Sequence, residues 1–218
     1  MPLKAIILDY GGVLCFPPPE SQVRELADLC RLTLEQFQDG YWSQRGAYDR
    51  GDVGTLEYWQ GIGRRGGQAF TANEIAGFSR GDVLFWVHLD QGMLAWAGRL
   101  RSAGLRTGLL SNLPEPLGVH LRHEMLLPDL FDHHSFSYEL RAAKPEAAIY
   151  QHALEGLGVE PAEALFIDDR AENVEGARAC GIRSIQFESP RRLQEQLEEL
   201  GRRSNGFVPF GTPPVVLE

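Results

Sequence analysis

The stretch "LKAIILDYGG" at residues 3–12 constrains the fold more than any other part of the chain. Its core is a run of Ala, Ile and Leu with apolar residues at consecutive positions, so both faces of the strand it predicts are buried, as in the centre of a parallel sheet. The run ends in Asp9, and glycines follow at once. Similar short runs return at 106–112, 163–169 and 183–187. We therefore expect several buried strands, each followed by polar residues.

Helical patterns separate these strands. They cover 93–104, 145–158 and 171–181; the second begins with Pro and ends with Gly, which is the usual asymmetry of helix ends. Strands that alternate with helices predict an α/β fold with a mainly parallel sheet. In such sheets ligands bind at the carboxyl ends of the strands. Polar residues of this chain cluster at those ends.

The segment 16–87 interrupts the alternation. It begins with the turn Pro17–Pro19, continues in helical patterns, and contains a capping box formed by Thr71 and Glu74. We predict a small helical insert over residues 16–87, above the end of the first strand, and a core made of 1–15 and 88–218. The Trp and Tyr residues of 40–59 are expected in the insert's own core. Arg45 and Arg50 are expected on a solvated face, and the alternative is that they reach a bound substrate.

Composition narrows the function classes. The net charge of −9 argues against nucleic-acid binding, which usually needs a basic face. No apolar run approaches the roughly 20 residues of a membrane span. Three cysteines without metal spacing favour a reduced, cytoplasmic location. His133 and His134 are expected in an exposed loop, and the tail of 205–218 is expected to pack on the core through Phe207, Phe210 and Val215.

Four short stretches that end or follow predicted strands carry candidate chemistry. They are Asp9; Ser111 and Asn112; Lys144 and Pro145; and Asp168 and Asp169. Taken singly, each also fits a helix cap or a surface charge. Together they supply a nucleophilic carboxylate, a hydroxyl with an amide, a cation and a carboxylate pair. Adjacent acids repel each other without a cation, so the last pair favours a metal site.

The segments "ILDYGGVL", "LLSN", "KPEAAIY" and "FIDDRAENVEGA" resemble, in this order, the four motifs of the haloacid dehalogenase superfamily. The helical insert resembles that superfamily's small cap. The resemblance implies a Rossmann-like three-layer core and a hydrolase. The pattern is most similar to bacterial sugar-phosphate phosphatases, including glucose-1-phosphate phosphatases, so the expected partner is a small phosphorylated metabolite. Neither its identity nor the oligomeric state is encoded in a readable pattern.

The resemblance also implies residue roles. Asp9 would be the nucleophile that forms an aspartyl-phosphate. Ser111 and either the backbone or the side chain of Asn112 would hold the oxygens of the transferring group, and Lys144 would neutralise that group and the nucleophile. Asn173 would hold Asp169 or Lys144 by hydrogen bonds.

A magnesium ion is implied as well. Its ligands would be Asp169, one oxygen of Asp9 and the main-chain carbonyl of Gly11, with Asp168 as a further ligand or a support. Few protein carboxylates and several oxygen ligands suit Mg²⁺, which keeps waters and shares the substrate phosphate. Phosphoryl transfer depends mainly on positioning and charge neutralisation.

Gly11 departs from the phosphatase pattern, which has a second acid at this position to protonate the leaving group. Its loss should cost about 10²–10⁴ in rate, unless water, Asp168, or the insert's Asp49 or Asp52 substitutes. The second alternative is a dehalogenase, since dehalogenases also lack this acid. The retained pair Asp168 and Asp169 disfavours a dehalogenase, because their charge repels a carboxylate substrate. A third alternative is a binding module of the same fold that has lost its activity.

Overall fold

The computed structural model describes residues 2–203 and contains one five-stranded parallel sheet. The strands are β1 (Ala5–Leu8), β2 (Arg106–Ser111), β3 (His133–Phe136), β4 (Ala164–Asp168) and β5 (Arg183–Gln186), in the spatial order β3-β2-β1-β4-β5. In the centre, Ala5 pairs with Arg106 on one side and with Ala164 on the other. The first apolar run is therefore the middle strand, as its two buried faces predict.

Helices cover both faces of the sheet. They are α6 (Gln91–Ser102), α7 (Glu115–His123), α8 (Ser137–Leu140), α9 (Ala147–Leu157), α10 (Ala171–Ala179) and α11 (Pro190–Arg203), with 3-10 turns at Leu127–Leu130 and Pro161–Glu163. Ile6 and Leu8 of β1 belong to a hydrophobic cluster with α6, α7 and α11, whereas Ala5 and Ile7 belong to one with α9 and α10. This alternation follows the two-residue period of a strand. The result is the three-layer α/β core expected from the sequence.

Five helices form the insert between β1 and α6. They are α1 (Glu20–Leu29), α2 (Leu34–Ser43), α3 (Arg45–Arg50), α4 (Thr55–Arg65) and α5 (Ala72–Phe85), called the five-helix unit below. The unit has its own hydrophobic cluster, which includes Tyr41, Tyr48, Tyr58 and Trp59. The capping box of Thr71 and Glu74 forms as predicted. Trp42 differs from the other aromatic residues, since it is 58% exposed.

The chain enters and leaves the five-helix unit through two adjacent segments. Phe16 donates its amide to the carbonyl of His88, and Asp90 donates its amide to the carbonyl of Leu14. The hydroxyl of Tyr10 also donates to the carbonyl of Trp86. The two connections are thus held side by side, directly after the end of β1.

The expectation for His133 and His134 is wrong. Both lie in the edge strand β3 and are half-buried, and burial lowers the pKa of each imidazole. The strand was missed because "HHSF" lacks the apolar pattern of the other strands. The proposed contacts of Phe207, Phe210 and Val215 fall outside the described residues. Within 2–203, none of the helices is long and apolar enough to cross a membrane.

Candidate active site

The polar residues singled out by the sequence meet where β1, β2 and β4 end. A cavity of about 760 Å³ opens there, between the edge of the sheet and the five-helix unit. Core residues on its wall are Asp9, Gly11, Ser111, Asn112, Lys144, Asp169 and Asn173. The five-helix unit and the segments beside it contribute Pro17, Trp42, Arg45, Asp49 and Trp86. Of the predicted site residues, only Asp168 lies behind this wall rather than on it.

Lys144 is the electrostatic centre of the site. Its Nζ lies 2.6 Å from Oδ1 of Asp9 and 2.7 Å from Oδ2 of Asp168, and it donates to the carbonyl of Leu110 at 3.2 Å. Burial alone would lower the pKa of Lys144, but the charges of Asp9 and Asp168 raise it above its ordinary value. The ammonium is therefore a fixed positive charge beside the Asp9 carboxylate.

The site carries more negative than positive charge. Three carboxylates, those of Asp9, Asp168 and Asp169, surround one ammonium group, and their ligand atoms lie within 4.8 Å of one another. Burial and the nearby Asp168 raise the pKa of Asp9 and of Asp169, against the opposing effect of Lys144. Such a cluster is stabilised when a cation compensates the excess charge.

Asp168 supports Lys144 instead of facing the cavity. It is fully buried, and its two oxygens accept from Lys144, from the amide of Arg170 at 2.8 Å and from Nδ2 of Asn173 at 2.9 and 3.1 Å. Burial opposes its charge, but Lys144 and these donors lower the pKa of Asp168. Asn173 thus holds Asp168, and the expectation that it holds Asp169 or Lys144 is wrong.

Asn112 can offer its main chain but not its side chain to a bound group. Its Nδ2 donates to the carbonyl of Lys144 at 2.9 Å, and its Oδ1 accepts from the amide of Lys144 at 2.8 Å. The side chain is therefore engaged with the loop that presents Lys144. Its main-chain amide, beside the buried hydroxyl of Ser111, is still available to donate a hydrogen bond to an oxygen of a bound group.

The donor set fits a magnesium ion. Oδ1 of Asp9 accepts from the amide of Tyr10 and from Lys144, which leaves its Oδ2 uncommitted among the described residues. Asp169 is exposed to the cavity. The backbone turn after β1 uses the carbonyl of Tyr10 as its acceptor, for the amides of Val13, Leu14 and Cys15, so these bonds do not engage the Gly11 carbonyl. Oxygen donors alone are what Mg²⁺ prefers.

Gly12, rather than Gly11, is the position that requires glycine. Gly12 has a φ of +75°, and a Cβ placed there would lie 2.5 Å from Oδ2 of Asp169. Gly11 itself does not have a positive φ. A Cβ at Gly11 would lie 3.4 Å from the Trp86 ring, which is ordinary contact. The Trp86 indole therefore occupies the space next to the position of the missing acid.

Arg45 is buried, contrary to the expectation of a solvated face. Its Nε donates to Oδ1 of Asp49 at 2.7 Å, and its Nη1 donates to both oxygens of Asp82 at 3.1 Å. Tyr41 donates its hydroxyl to Asp82 at 2.5 Å. Although burial opposes the charge, the neighbouring acids raise the pKa of Arg45 well above its ordinary value. The i,i+4 spacing of Arg45 and Asp49 was the one sequence sign of this network.

Arg50, in contrast, lies at the contact between the five-helix unit and the α/β core. It forms ion pairs with Asp52 and with Glu146, the residue before α9. Its side chain is 35% exposed. The prediction of a solvated residue holds in part, because one partner belongs to the core.

Comparison with known proteins agrees with this fold. The family model of haloacid dehalogenase-like hydrolases matches residues 3–181. The chain is 30% identical over 181 residues to a sesquiterpene phosphatase of Aspergillus oryzae, covering 82% of this chain and 87% of the relative. It is 32% identical over 218 residues to mouse acyl-CoA dehydrogenase family member 10, covering 90% of this chain but 19% of that protein.

A solved structure is also similar. The magnesium complex of a haloacid dehalogenase family enzyme from Bacteroides thetaiotaomicron superposes with a TM-score of 0.71 at 25% identity, over 86% of this chain and 94% of the other. The chain belongs to the haloacid dehalogenase-like hydrolases.

Proposed function

We propose that the chain is a Mg²⁺-dependent phosphatase of small phosphorylated metabolites that works through an aspartyl-phosphate on Asp9. The observation that carries the proposal is the arrangement of three carboxylates around Lys144, with one Asp9 oxygen and the Asp169 carboxylate left for a cation. The phosphatase among its relatives and the magnesium complex of the similar structure support it. Asp9, Asp169 and the Gly11 carbonyl would hold the ion, which would neutralise charge on the transferring phosphoryl group.

The side chains of the site account for the rest of the reaction. The Asp9 carboxylate attacks phosphorus, and Lys144 and the amide of Tyr10 fix its orientation through Oδ1. The Ser111 hydroxyl and the Asn112 amide bind phosphoryl oxygens, and Lys144 offsets their charge. Asp168 and Asn173 keep Lys144 in place. Water then hydrolyses the phospho-Asp9 bond and regenerates the carboxylate.

The five-helix unit is proposed as the cap over residues 16–87, with the core formed by 1–15 and 88–218. It covers the cavity and has a separate hydrophobic cluster, which supports movement as a unit. Its hinges would lie at Pro17–Pro19 and at 88–92. Closure excludes water during transfer, and opening admits it afterwards.

The walls of the cavity favour an organic phosphate over a large polyanion. Trp42, Trp86 and Pro17 provide apolar surface, while Arg45 and Asp49 provide polar groups. A volume of about 760 Å³ accommodates a small metabolite. The net charge of −9 does not favour nucleic acid as a partner. The free thiols Cys15, Cys30 and Cys180 support a reduced, cytoplasmic setting.

Hydrolysis of a haloacid is the second candidate, since Gly11 removes the acid that dehalogenases also lack. The exposed Asp169, close to Asp9 and Asp168, argues against it, because a carboxylate substrate would meet an excess of negative charge. Assay of a short haloacid beside an aryl phosphate, each with Mg²⁺ and with EDTA, separates the two. Haloacid turnover in EDTA would replace the phosphatase proposal.

The nucleophile is tested by Asp9→Asn, which keeps the shape of the side chain. The variant should fold normally and lose turnover of an aryl phosphate. In the wild type, beryllium fluoride with Mg²⁺ should form an adduct on Asp9 that is visible by crystallography or ¹⁹F NMR. Asp52→Asn is the matched control, because Asp52 is 47% exposed in the cap and is not on the cavity wall. Substantial activity in Asp9→Asn would refute the mechanism.

A further inference from the structure

The absence of an acid at Gly11 leaves the leaving group of the proposed reaction without a proton source. An unprotonated alkoxide is a poor leaving group, and general acid catalysis contributes about 10²–10⁴ in rate. The described part of the cavity wall holds four carboxylates: Asp9, Asp169, Asp49 and Glu172. Asp9 and Asp169 are assigned to the nucleophile and the cation. Asp49 and Glu172 are left.

Asp49 is the better placed of these two. Glu172 is 58% exposed on the core helix α10 and forms an ion pair with Arg170 at 2.6 Å. The Asp49 side chain is 13% exposed and belongs to the cap. Two other acids are excluded by position: Asp168 is fully buried with both oxygens engaged, and Asp52 is 47% exposed and is not on the cavity wall.

Arg45 cannot compensate both acids that it contacts. One guanidinium faces the carboxylates of Asp49 and Asp82. Asp82 receives two hydrogen bonds from Nη1 of Arg45 and a third from Tyr41, whereas Asp49 receives one, from Nε to its Oδ1. The excess negative charge of this network is relieved by a proton, and the less supported carboxylate takes it. Burial accordingly raises the pKa of Asp49 to about 7, against the pull of Arg45.

Asp49 is also fixed relative to the phosphoryl site. The hydroxyl of Ser137 in α8 donates to the main-chain carbonyl of Asp49 and accepts from the amide of Leu113 at 3.0 Å. Leu113 directly follows Asn112. One hydroxyl therefore links the helix that carries Asp49 to the loop proposed to bind phosphoryl oxygens, and Arg170, beside Asp169, is near enough to lower the pKa of Asp49.

We propose that Asp49, supplied by the cap, is the general acid and base that replaces the missing acid of the first motif. This rests on the proposed function. In the first step Asp9 bonds to phosphorus, the bond from phosphorus to the leaving oxygen breaks, and that oxygen takes the Asp49 proton. In the second step water attacks phosphorus and gives a proton back to Asp49, while the bond from phosphorus to Asp9 breaks.

The test compares leaving groups in Asp49→Asn, an isosteric variant that keeps an oxygen for Arg45. Rates of the first turnover, which report cleavage of the ester before the bond from phosphorus to Asp9 is hydrolysed, are measured for a primary alkyl phosphate and for 4-nitrophenyl phosphate, whose leaving group needs no proton. We expect the alkyl ester to slow about 10²–10⁴-fold, with little change for the aryl ester. Asp52→Asn should change neither. An equal loss for both esters, or no loss, would overturn the role of Asp49.

A second measurement needs no variant. Proton donation from Asp49 in the first step predicts slower first-turnover cleavage of the alkyl ester by the wild type in D₂O, and a smaller effect for the aryl ester. Equal isotope effects would contradict the proposal even if Asp49→Asn failed to fold. Failure of the proposed function itself has a different signature, because Asp9→Asn would then retain activity toward both esters.

Discussion

The side chain of Asn112 and the main chain of Lys144 form a reciprocal pair of hydrogen bonds, 2.9 and 2.8 Å long, that joins the end of β2 to the loop before α9. This pair anchors the main chain of Lys144 to the end of β2, and so helps to position its ammonium group. Nζ of Lys144 contacts both Asp9 and Asp168, so a shift of the loop would move the ammonium group away from them.

Asn112→Ala should therefore impair catalysis without touching the nucleophile. Loss of two hydrogen bonds lets the Lys144 loop shift, and a displacement near an ångström costs on the order of 10²-fold in rate. Leaving main-chain groups of Lys144 unpaired should lower the free energy of unfolding by about 1–3 kcal/mol. Turnover of 4-nitrophenyl phosphate and urea denaturation measure the two effects. An unchanged turnover number would show that Lys144 is held by other contacts.

The glycines after β1 should respond differently to alanine. Gly12→Ala meets a φ of +75° and places a methyl group 2.5 Å from Asp169 Oδ2, whereas Gly11→Ala meets the Trp86 ring at 3.4 Å. The left-handed conformation alone costs about 1–2 kcal/mol. We expect Gly12→Ala to be less stable and to bind Mg²⁺ poorly, with Gly11→Ala near the wild type. Thermal melts and Mg²⁺ titration calorimetry give the comparison; equal behaviour of the two variants would contradict it.

Magnesium should be required for turnover and should depend on Asp169. Hydrolysis of an aryl phosphate should stop with EDTA and return when excess Mg²⁺ is added. Asp169→Ala should lose both activity and calorimetrically detected Mg²⁺ binding, because Asp168 is engaged with Lys144 and a single free oxygen of Asp9 is the one carboxylate ligand left. Asp39→Ala, which removes an exposed acid of the cap paired with Arg65, is a control. Full activity in EDTA would shift the assignment toward carbon–halogen chemistry.

The pH dependence of alkyl ester hydrolysis should report Asp49. The group has to be protonated to act as an acid, and burial raises its pKa to about 7 in the surroundings of Arg45, Asp82 and Arg170. The rate for an alkyl phosphate should thus fall as pH rises through about 7. In Asp49→Asn this decline should vanish from the residual rate. A decline of the same midpoint in the variant would assign it to another group.

The raised pKa of Asp49 also predicts how the stability of the fold changes with pH. Its carboxyl binds a proton more tightly in the folded chain than at its ordinary pKa of 3.8. Between pH 3.8 and about 7 the folded state therefore binds more protons, and its stability falls as pH rises across that window. Asp9 and Asp169, whose pKa values are also raised, contribute to the same slope. Asp49→Asn should therefore reduce this slope in urea denaturation series, whereas Asp52→Asn should leave it unchanged. A slope in Asp49→Asn equal to that of the wild type would show that Asp49 does not contribute.

Much of the fold follows from local patterns. The apolar run before Asp9 predicts a central strand, and Thr71 with Glu74 predicts the start of α5; the structure has both. The edge strand β3 escaped prediction because a strand with a polar sequence has no apolar period to detect. The resemblance of the four motifs to a known family is confirmed by the family model.

The candidate site is less readable from sequence, because its supporting contacts join distant segments. Asn173 bonds to Asp168 five residues away, but Asn112 bonds to Lys144 across 32 residues and Arg45 to Asp82 across 37. No spacing rule links such pairs. The roles of the individual site residues remain proposals for the experiments above.

The hydrogen bond from Ser137 to the main chain of Asp49 has a consequence for timing. In the proposed mechanism, Asp9 as nucleophile and Asp49 as proton donor belong to two separately packed bodies, and closure of the cap would form this bond. An open molecule would hold a nucleophile without an acid, so a phosphate ester too bulky to let α3 reach α8 would bind and yet stay intact. For esters with basic leaving groups, the enzyme would then discriminate by substrate size at the closing step. A bulky ester would show a lower kcat with little change in KM.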